Sequence, residues 1–172
     1  MSTLQYIEVE TQPEPNASVI WLHGLGASGH DFEPIVPELT LPMAVRFIFP
    51  HAPNKTITVN GGMVMPAWYD IISIDIERRI DTDQIMDSSD AINELIEQEI
   101  ARGIPSENIV IAGFSQGGGS ADDIVPEVLG QQANTALRER GYAPDYYRYP
   151  IPHSVCMEEI NDISQWLQRC LG

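Results

Sequence analysis

Residues 109–119 read Ile109-Val110-Ile111-Ala112-Gly113-Phe114-Ser115-Gln116-Gly117-Gly118-Gly119, and how this stretch is read decides the fold. Ile109 to Ile111 is a β-branched run of the kind that suits a buried strand. Gly113 to Gly117 then fits G-x-S-x-G, the spacing of a tight strand-to-helix turn with a nucleophilic serine at its tip. The spacing has a steric cause. Such a turn forces the serine into an unfavourable backbone conformation that exposes its hydroxyl. Glycines two residues to either side remove the side chains that would meet neighbouring backbone. The Gln116 amide would then face the oxygen of an acyl group under attack by Ser115. A glycine-rich loop after a core strand shows the same five letters, so the reading depends on partners elsewhere in the chain.

Upstream, Ile85, Ile92, Leu95, Ile96 and Ile100 fall at helical spacing, with acidic residues crowding the start and Gly103 and Pro105 marking the stop. This helix delivers the chain to the strand before Ser115. Further back, Val45 to Phe49 reads as a strand ended by Pro50. Val19 to Leu22 reads as a buried strand running into the loop His23-Gly24-Leu25-Gly26, which precedes an expected helix from His30 to Glu38. Residues 4–9 alternate and suggest an edge strand. Residues 50–82 show little periodicity and read as a long ordered loop, of a length that is usually functional. Met63, Met65, Trp68 and Tyr69 in it would suit the wall of an acyl-binding groove or, equally, pack the loop onto the body.

Downstream, a helix is expected from about Ile124 to Arg140, with Pro126 in its first turn and Gly141 beyond its end. Tyr146 to Tyr149 reads as a strand closed by Pro150 and Pro152. Residues 155–170 read as a final helix with Glu158 and Glu159 in its first turn. Strands alternating with helices imply an α/β fold with a mainly parallel sheet. The 172 residues, 43% of them hydrophobic, allow one domain with a real core.

Charge narrows the partners. With 25 acidic and nine basic residues the net charge is −16, a surface that repels phosphate backbones and anionic lipid. Nucleic acid is therefore not an expected partner, and no apolar run approaches membrane-spanning length. The first six residues lack the regions of a signal peptide. Cys156 and Cys170 are accordingly read as reduced thiols, and the expected location is cytoplasmic.

A serine hydroxyl needs a base to become a nucleophile, and the base needs a third group to hold its tautomer. Of the four histidines only His153 follows the serine, in a loop between the expected last strand and last helix. Asp122 and Asp123 lie between the two, although either could instead cap the helix that begins at Ile124. Glu127 and Asp145 are weaker candidates for the same role.

Taken together, these stretches resemble the carboxylesterase and acyl-protein thioesterase group of α/β-hydrolases, the phospholipase/carboxylesterase family, and its bacterial members in particular. The resemblance is carried by His23 to His30, Pro50-His51-Ala52-Pro53, Gly61 to Ile71, Gly113 to Gly118, Asp122-Asp123-Ile124-Val125-Pro126 and His153-Ser154-Val155-Cys156. It implies an α/β-hydrolase fold in which Ser115 is the nucleophile, His153 the base and Asp122 the orienting carboxylate. It also implies the amides of Leu25 and Gln116 as the oxyanion hole. The implied substrates are short to medium acyl esters, lysophospholipids or acyl thioesters on protein cysteines, with no metal or cofactor.

One departure stands out. Members of that family carry several dozen residues between the serine and the aspartate, whereas here Asp122 follows Ser115 by seven positions. Gly117-Gly118-Gly119-Ser120-Ala121 stands there and has the composition of a flexible linker. This implies a single domain over 1–172 that has been shortened between Gly118 and Asp122, by a deletion or as a natural short loop. The helix from 124 to 140 could then act as the crossover bringing strand 146–149 parallel to strand 109–111. Apolar faces left bare would favour a homodimer. Two functions follow: a serine esterase of abbreviated fold, or a hydrolase-like scaffold without activity.

Overall fold

The apolar runs around residues 20, 47 and 111 become three adjacent strands of one sheet. The computed structural model describes residues 4–73, 79–115, 127–147, 149 and 154–172. Strand β2 (Ala17–Leu22) pairs in parallel with β3 (Val45–Pro50) on one side and with β8 (Ile109–Gly113) on the other. Strand β1 (Tyr6–Glu10) adds an antiparallel edge to β3, giving the order β1-β3-β2-β8. The central strands β2 and β3 are buried on both faces, mostly through apolar side chains, as a sheet covered on both sides requires; Ser18 and Arg46 are the polar exceptions.

Alternation sorts their side chains. Val19, Trp21, Phe47 and Phe49 point to one face, where Phe32, Ile35, Val36 and helix α3 (Met157–Leu171) cover them through Ile160, Leu167 and Leu171. Ile20 and Ile48 point to the other, where helix α1 (Thr82–Ala101) packs Ile92 and Leu95, with Trp68 and Ala52 beside them. Full burial of a Phe such as Phe47 or Phe49 stabilises the fold by about 2–3 kcal/mol each. The result is a mixed sheet between helices, the α/β arrangement expected.

Helix α1 begins where its capping chemistry says. The Asp81 carboxylate accepts the Gln84 backbone N–H at 3.0 Å, which satisfies one donor of the first turn. Asn108 closes the following turn by donating to the Asn16 carbonyl, 2.9 Å, and so sets β8 beside β2.

Four expectations are corrected. The helix expected over 30–38 is instead two 3-10 turns, Gly29–Asp31 and Glu33–Glu38. Pro37 lies inside the second, and a proline there can neither donate an α-helical bond nor fit against the preceding turn. The stretch 50–82 is not an irregular loop. It contains two antiparallel hairpins, β4 (Asn54–Ile57) with β5 (Met63–Pro66), and β6 (Ile71–Ser73) with β7 (Arg79–Ile80). Gly61 and Gly62, at φ of 67° and 80°, supply the left-handed turn that closes the first.

The strand expected over Tyr146 to Tyr149 does not form at Tyr146, Tyr147 or Tyr149. Tyr146 and Tyr147 are both exposed, so neither alternating face has a core to enter. This segment is held instead by side chains: Arg138 donates to the Pro144 carbonyl, and Asp145 pairs with Arg169 of α3 at 2.7 Å. Among the described residues, the helix that could act as a crossover over 124–140 therefore has no strand after it to deliver. Helix α2 (Glu127–Glu139) is present, yet among the described residues β8 has β2 as its sheet neighbour.

Candidate active site

Parallel register puts the carboxyl ends of β2 and β8 side by side. Leu22 lies opposite Gly113, and the Phe114 N–H donates to the Leu22 carbonyl at 3.0 Å. The two loops that leave these strands, His23-Gly24 and Phe114-Ser115, thus begin next to each other. That is the edge of an α/β sheet where ligands bind.

Ser115 sits at φ 56°. A left-handed conformation costs a non-glycine residue roughly 1–2 kcal/mol, and it is the backbone state expected at the tip of the strand-to-helix turn. Opposite it is Gly24. A Cβ built on Gly24 would lie 3.2 Å from Ser115 Cβ and 3.6 Å from Ser115 Oγ, so the glycine is what lets the two loops meet. Phe114 packs on Phe32 with ring centroids 5.3 Å apart, and Phe32 stacks on Trp21 at the same separation. The turn thereby rests on the core.

The loop after β2 is tied on every side. His23, 1% exposed, has its Nδ1 at 2.7 Å from its neighbour's carbonyl on Gly24, and its Nε2 accepts the Ala52 N–H at 3.0 Å. The indole N–H of Trp68 donates to the His23 carbonyl at 2.8 Å, and the two rings lie 5.3 Å apart. Burial pulls the His23 pKa below its ordinary 6.5, with the Gly24 carbonyl opposing that shift. The ring is neutral at pH 7. Farther along, the Gly26 N–H donates to the Pro66 carbonyl at 2.8 Å, and the Gly29 N–H donates to His51 Nδ1 at 3.1 Å. Asp31 accepts both the N–H and the hydroxyl of Ser28. The backbone bond from Ser28 is the main cause of an acidity greater than its usual value.

The first hairpin overhangs this loop. The Met65 sulfur would be 3.6 Å from a Cβ on Gly26, while Met63 and Val64 at the hairpin turn are exposed. Asp70 anchors the hairpin base by accepting from the Thr58 N–H and hydroxyl at 2.7 and 2.6 Å. Trp68 is buried, with its indole spent on His23, and so forms a floor beneath the loop rather than a face open to solvent.

Of the site residues expected from sequence, Ser115, Leu25, Met63, Met65 and Trp68 fall among the described residues: Leu25 follows the Gly24 that faces Ser115, Met65 lies against Gly26, Trp68 bonds to His23, and Met63 is exposed at the hairpin turn. Gln116, Asp122 and His153 lie outside the described residues. Sequence reasoning missed His23 and Ala52 as structural partners. The signal was there: a histidine placed directly after a buried apolar strand must find partners for both ring nitrogens.

A left-handed serine after a parallel strand, against a glycine loop from the neighbouring strand, defines an α/β-hydrolase. Comparison with known proteins agrees. The phospholipase/carboxylesterase family matches residues 4–121, which include Ser115 and the loop of Gly24. Acyl-protein thioesterase 1 of Neurospora crassa is 33% identical over 209 residues, spanning 88% of this chain and 85% of that protein. Its counterpart in Schizosaccharomyces pombe is 48% identical over 101 residues, 59% of this chain and 45% of that protein. Among solved structures, SOBER1 of Arabidopsis thaliana superposes with a TM-score of 0.84 at 26% identity, covering 91% of this chain and 99% of that one. The chain belongs to the phospholipase/carboxylesterase family and is a hydrolase. The Neurospora alignment is longer than the 172 residues of this chain, so it includes positions with no counterpart here.

Proposed function

We propose that this chain hydrolyses carboxylic esters of short to medium acyl chains through an acyl-enzyme on Ser115. The single observation that carries the reading is the left-handed backbone of Ser115 at the end of β8, directly against Gly24. In the proposed reaction Ser115 Oγ attacks the acyl carbonyl carbon while His153 takes the hydroxyl proton and Asp122 orients the imidazole. The carbonyl oxygen becomes an oxyanion that accepts from the amides of Leu25 and Gln116. Collapse breaks the ester bond, and the proton passes from the imidazolium to the leaving alcohol. Water, deprotonated by His153, then attacks the acyl-enzyme, and the acid departs as Ser115 regains its proton. None of these steps calls for a metal or cofactor.

Met65 and Met63, on the hairpin beside the loop, are the proposed contacts for the acyl chain, with Trp68 supporting the loop from below. Within the class, acyl thioesters and lysophospholipids are alternative substrates, and the relatives named as acyl-protein thioesterases favour the first of these. The proposed setting is the cytoplasm; no helix among the described residues is long and apolar enough to cross a membrane. A homodimer would cover Ile111 of β8, which is 54% exposed.

A second reading, a hydrolase-like scaffold without turnover, is favoured by the shortened stretch proposed between Gly118 and Asp122. One experiment separates the two: hydrolysis of p-nitrophenyl acetate and butyrate by the wild-type chain and by Ser115→Ala. Turnover lost in the variant, by a factor on the order of 10⁴ or more, supports the esterase. Equal rates in the two proteins would end it.

A further inference from the structure

Gly24 and Leu25 share one peptide plane. In a trans peptide the C=O and N–H point in opposite directions, so whatever grips the Gly24 carbonyl also aims the Leu25 N–H. The grip comes from His23, whose Nδ1 lies 2.7 Å from that oxygen, with the Ala27 N–H as a second donor at 3.2 Å. The far side of the ring settles which nitrogen carries the proton. Nε2 accepts the Ala52 N–H at 3.0 Å, and an accepting nitrogen is bare, so the proton is on Nδ1 and is donated to Gly24. Trp68 fixes the same residue from its backbone side through the His23 carbonyl. His51, on the turn after β3, and Asp31, in the first 3-10 turn, act on this ring with opposite electrostatic sign.

From this geometry we infer that His23 is the positioning residue of the oxyanion hole: its neutral, Nδ1-protonated ring aims the Leu25 amide at the oxygen that becomes charged on Ser115. The inference rests on the proposed role of Leu25. It adds a buried imidazole that touches no substrate and acts only through a peptide plane.

Two substitutions divide the ring's two bonds. Asparagine reaches about as far as Nδ1, so His23→Asn keeps a donor for the Gly24 carbonyl and loses the Ala52 partner. Glutamine reaches about as far as Nε2, so His23→Gln keeps an acceptor for Ala52 and loses the grip on Gly24. With p-nitrophenyl butyrate as substrate, His23→Gln is expected to lower kcat about 100-fold, as loss of one oxyanion donor does, with KM little changed. His23→Asn is expected to stay within about tenfold of wild type, despite a lower Tm. Equal kcat values in the two variants, or a greater loss in His23→Asn, would overturn the inference.

A second readout is independent of turnover. The ¹⁵N resonances of His23 in the wild-type chain at pH 7 should show Nδ1 protonated and Nε2 bare. An Nε2-protonated or doubly protonated ring would also overturn it. A wild-type chain that shows the expected tautomer but hydrolyses no ester counts against the proposed function and in favour of the hold of His23 on the Gly24–Leu25 peptide.

Discussion

The two ends of the central strands are held by opposite chemistries. At the amino end Arg46 of β3, 8% exposed, pairs with Glu99 of α1 at 3.0 Å and with Glu10 of β1 at 2.9 Å. Arg102 joins the same group through Glu99 at 2.9 Å and Glu8 at 2.6 Å. Burial opposes the charge on Arg46, but its bonds to Glu99 and Glu10 more than offset that and raise its pKa. At the carboxyl end no ion pair among the described residues holds the loop facing Ser115. Neutral bonds from His23, Ala52, Trp68 and Gly26 do so, around a glycine where a side chain would crowd Ser115.

The contrast has a physical rationale. A charged cluster tolerates small displacements because Coulomb attraction falls off slowly with distance. Short bonds between backbone and a single imidazole do not, and an oxyanion hole depends on such fixed donors. The base of the sheet is built for stability and the top for placement.

Breaking each end should therefore give different failures. The largest effect is expected from Ser115→Ala, which removes the proposed nucleophile and leaves the amino-end cluster intact. Ester turnover falls on the order of 10⁴-fold or more, and the urea midpoint hardly moves. Glu99→Ala should do the reverse. It leaves Arg46 without its buried partner, at a cost of about 3–5 kcal/mol in urea unfolding, while kcat per folded molecule stays near wild type.

Gly24→Ala comes next. Its new Cβ, 3.2 Å from Ser115 Cβ, must push the two loops apart by a few tenths of an ångström. A loss of about ten- to a hundredfold in kcat/KM is expected, with little change in Tm.

The smallest effect, and the one that sharpens the comparison, is pH. The folded pKa of His23 lies below 6.5, so its contribution to stability is complete above about 6.5 and is lost as pH falls through the folded value. Glu8 is also depressed, chiefly by its bond to Arg102, so its contribution is complete above about 4.5 and is lost as pH falls through its own lower value. The top of the sheet should loosen at a higher pH than the base. Acid titration followed by amide exchange at Leu25 and at Arg46 would show whether the two transitions separate in that order.

Much of the fold was legible because β2 and β8 carry short apolar runs, β3 is a mostly apolar run closed by Pro50, and α1 is strongly periodic, with acidic residues at its start and Gly103 beyond its end. The hairpins of 54–66 and 71–80 were not, since strands of two to four residues with half-exposed faces carry too little alternation to register. Tyr146 and Tyr147 misled for the opposite reason: high β-propensity without a surface to pack on. At the site, the G-x-S-x-G spacing named Ser115 because glycine and serine there have a steric cause. The bonds of His23 to Gly24 and to Ala52, 29 residues away, were invisible in the sequence, since they exist only once the loops are in place. Arg46 and Glu99 were hidden in the same way, 53 residues apart in sequence.

The central claim is that Ser115 is an activated nucleophile. Treating the folded 172-residue chain with a fluorophosphonate and mapping the adduct by mass spectrometry tests it most directly. One phosphonyl group is expected, on the peptide containing Ser115, and none on Ser115→Ala. A folded wild-type chain that stays unlabelled, or is labelled equally at another serine, would contradict it.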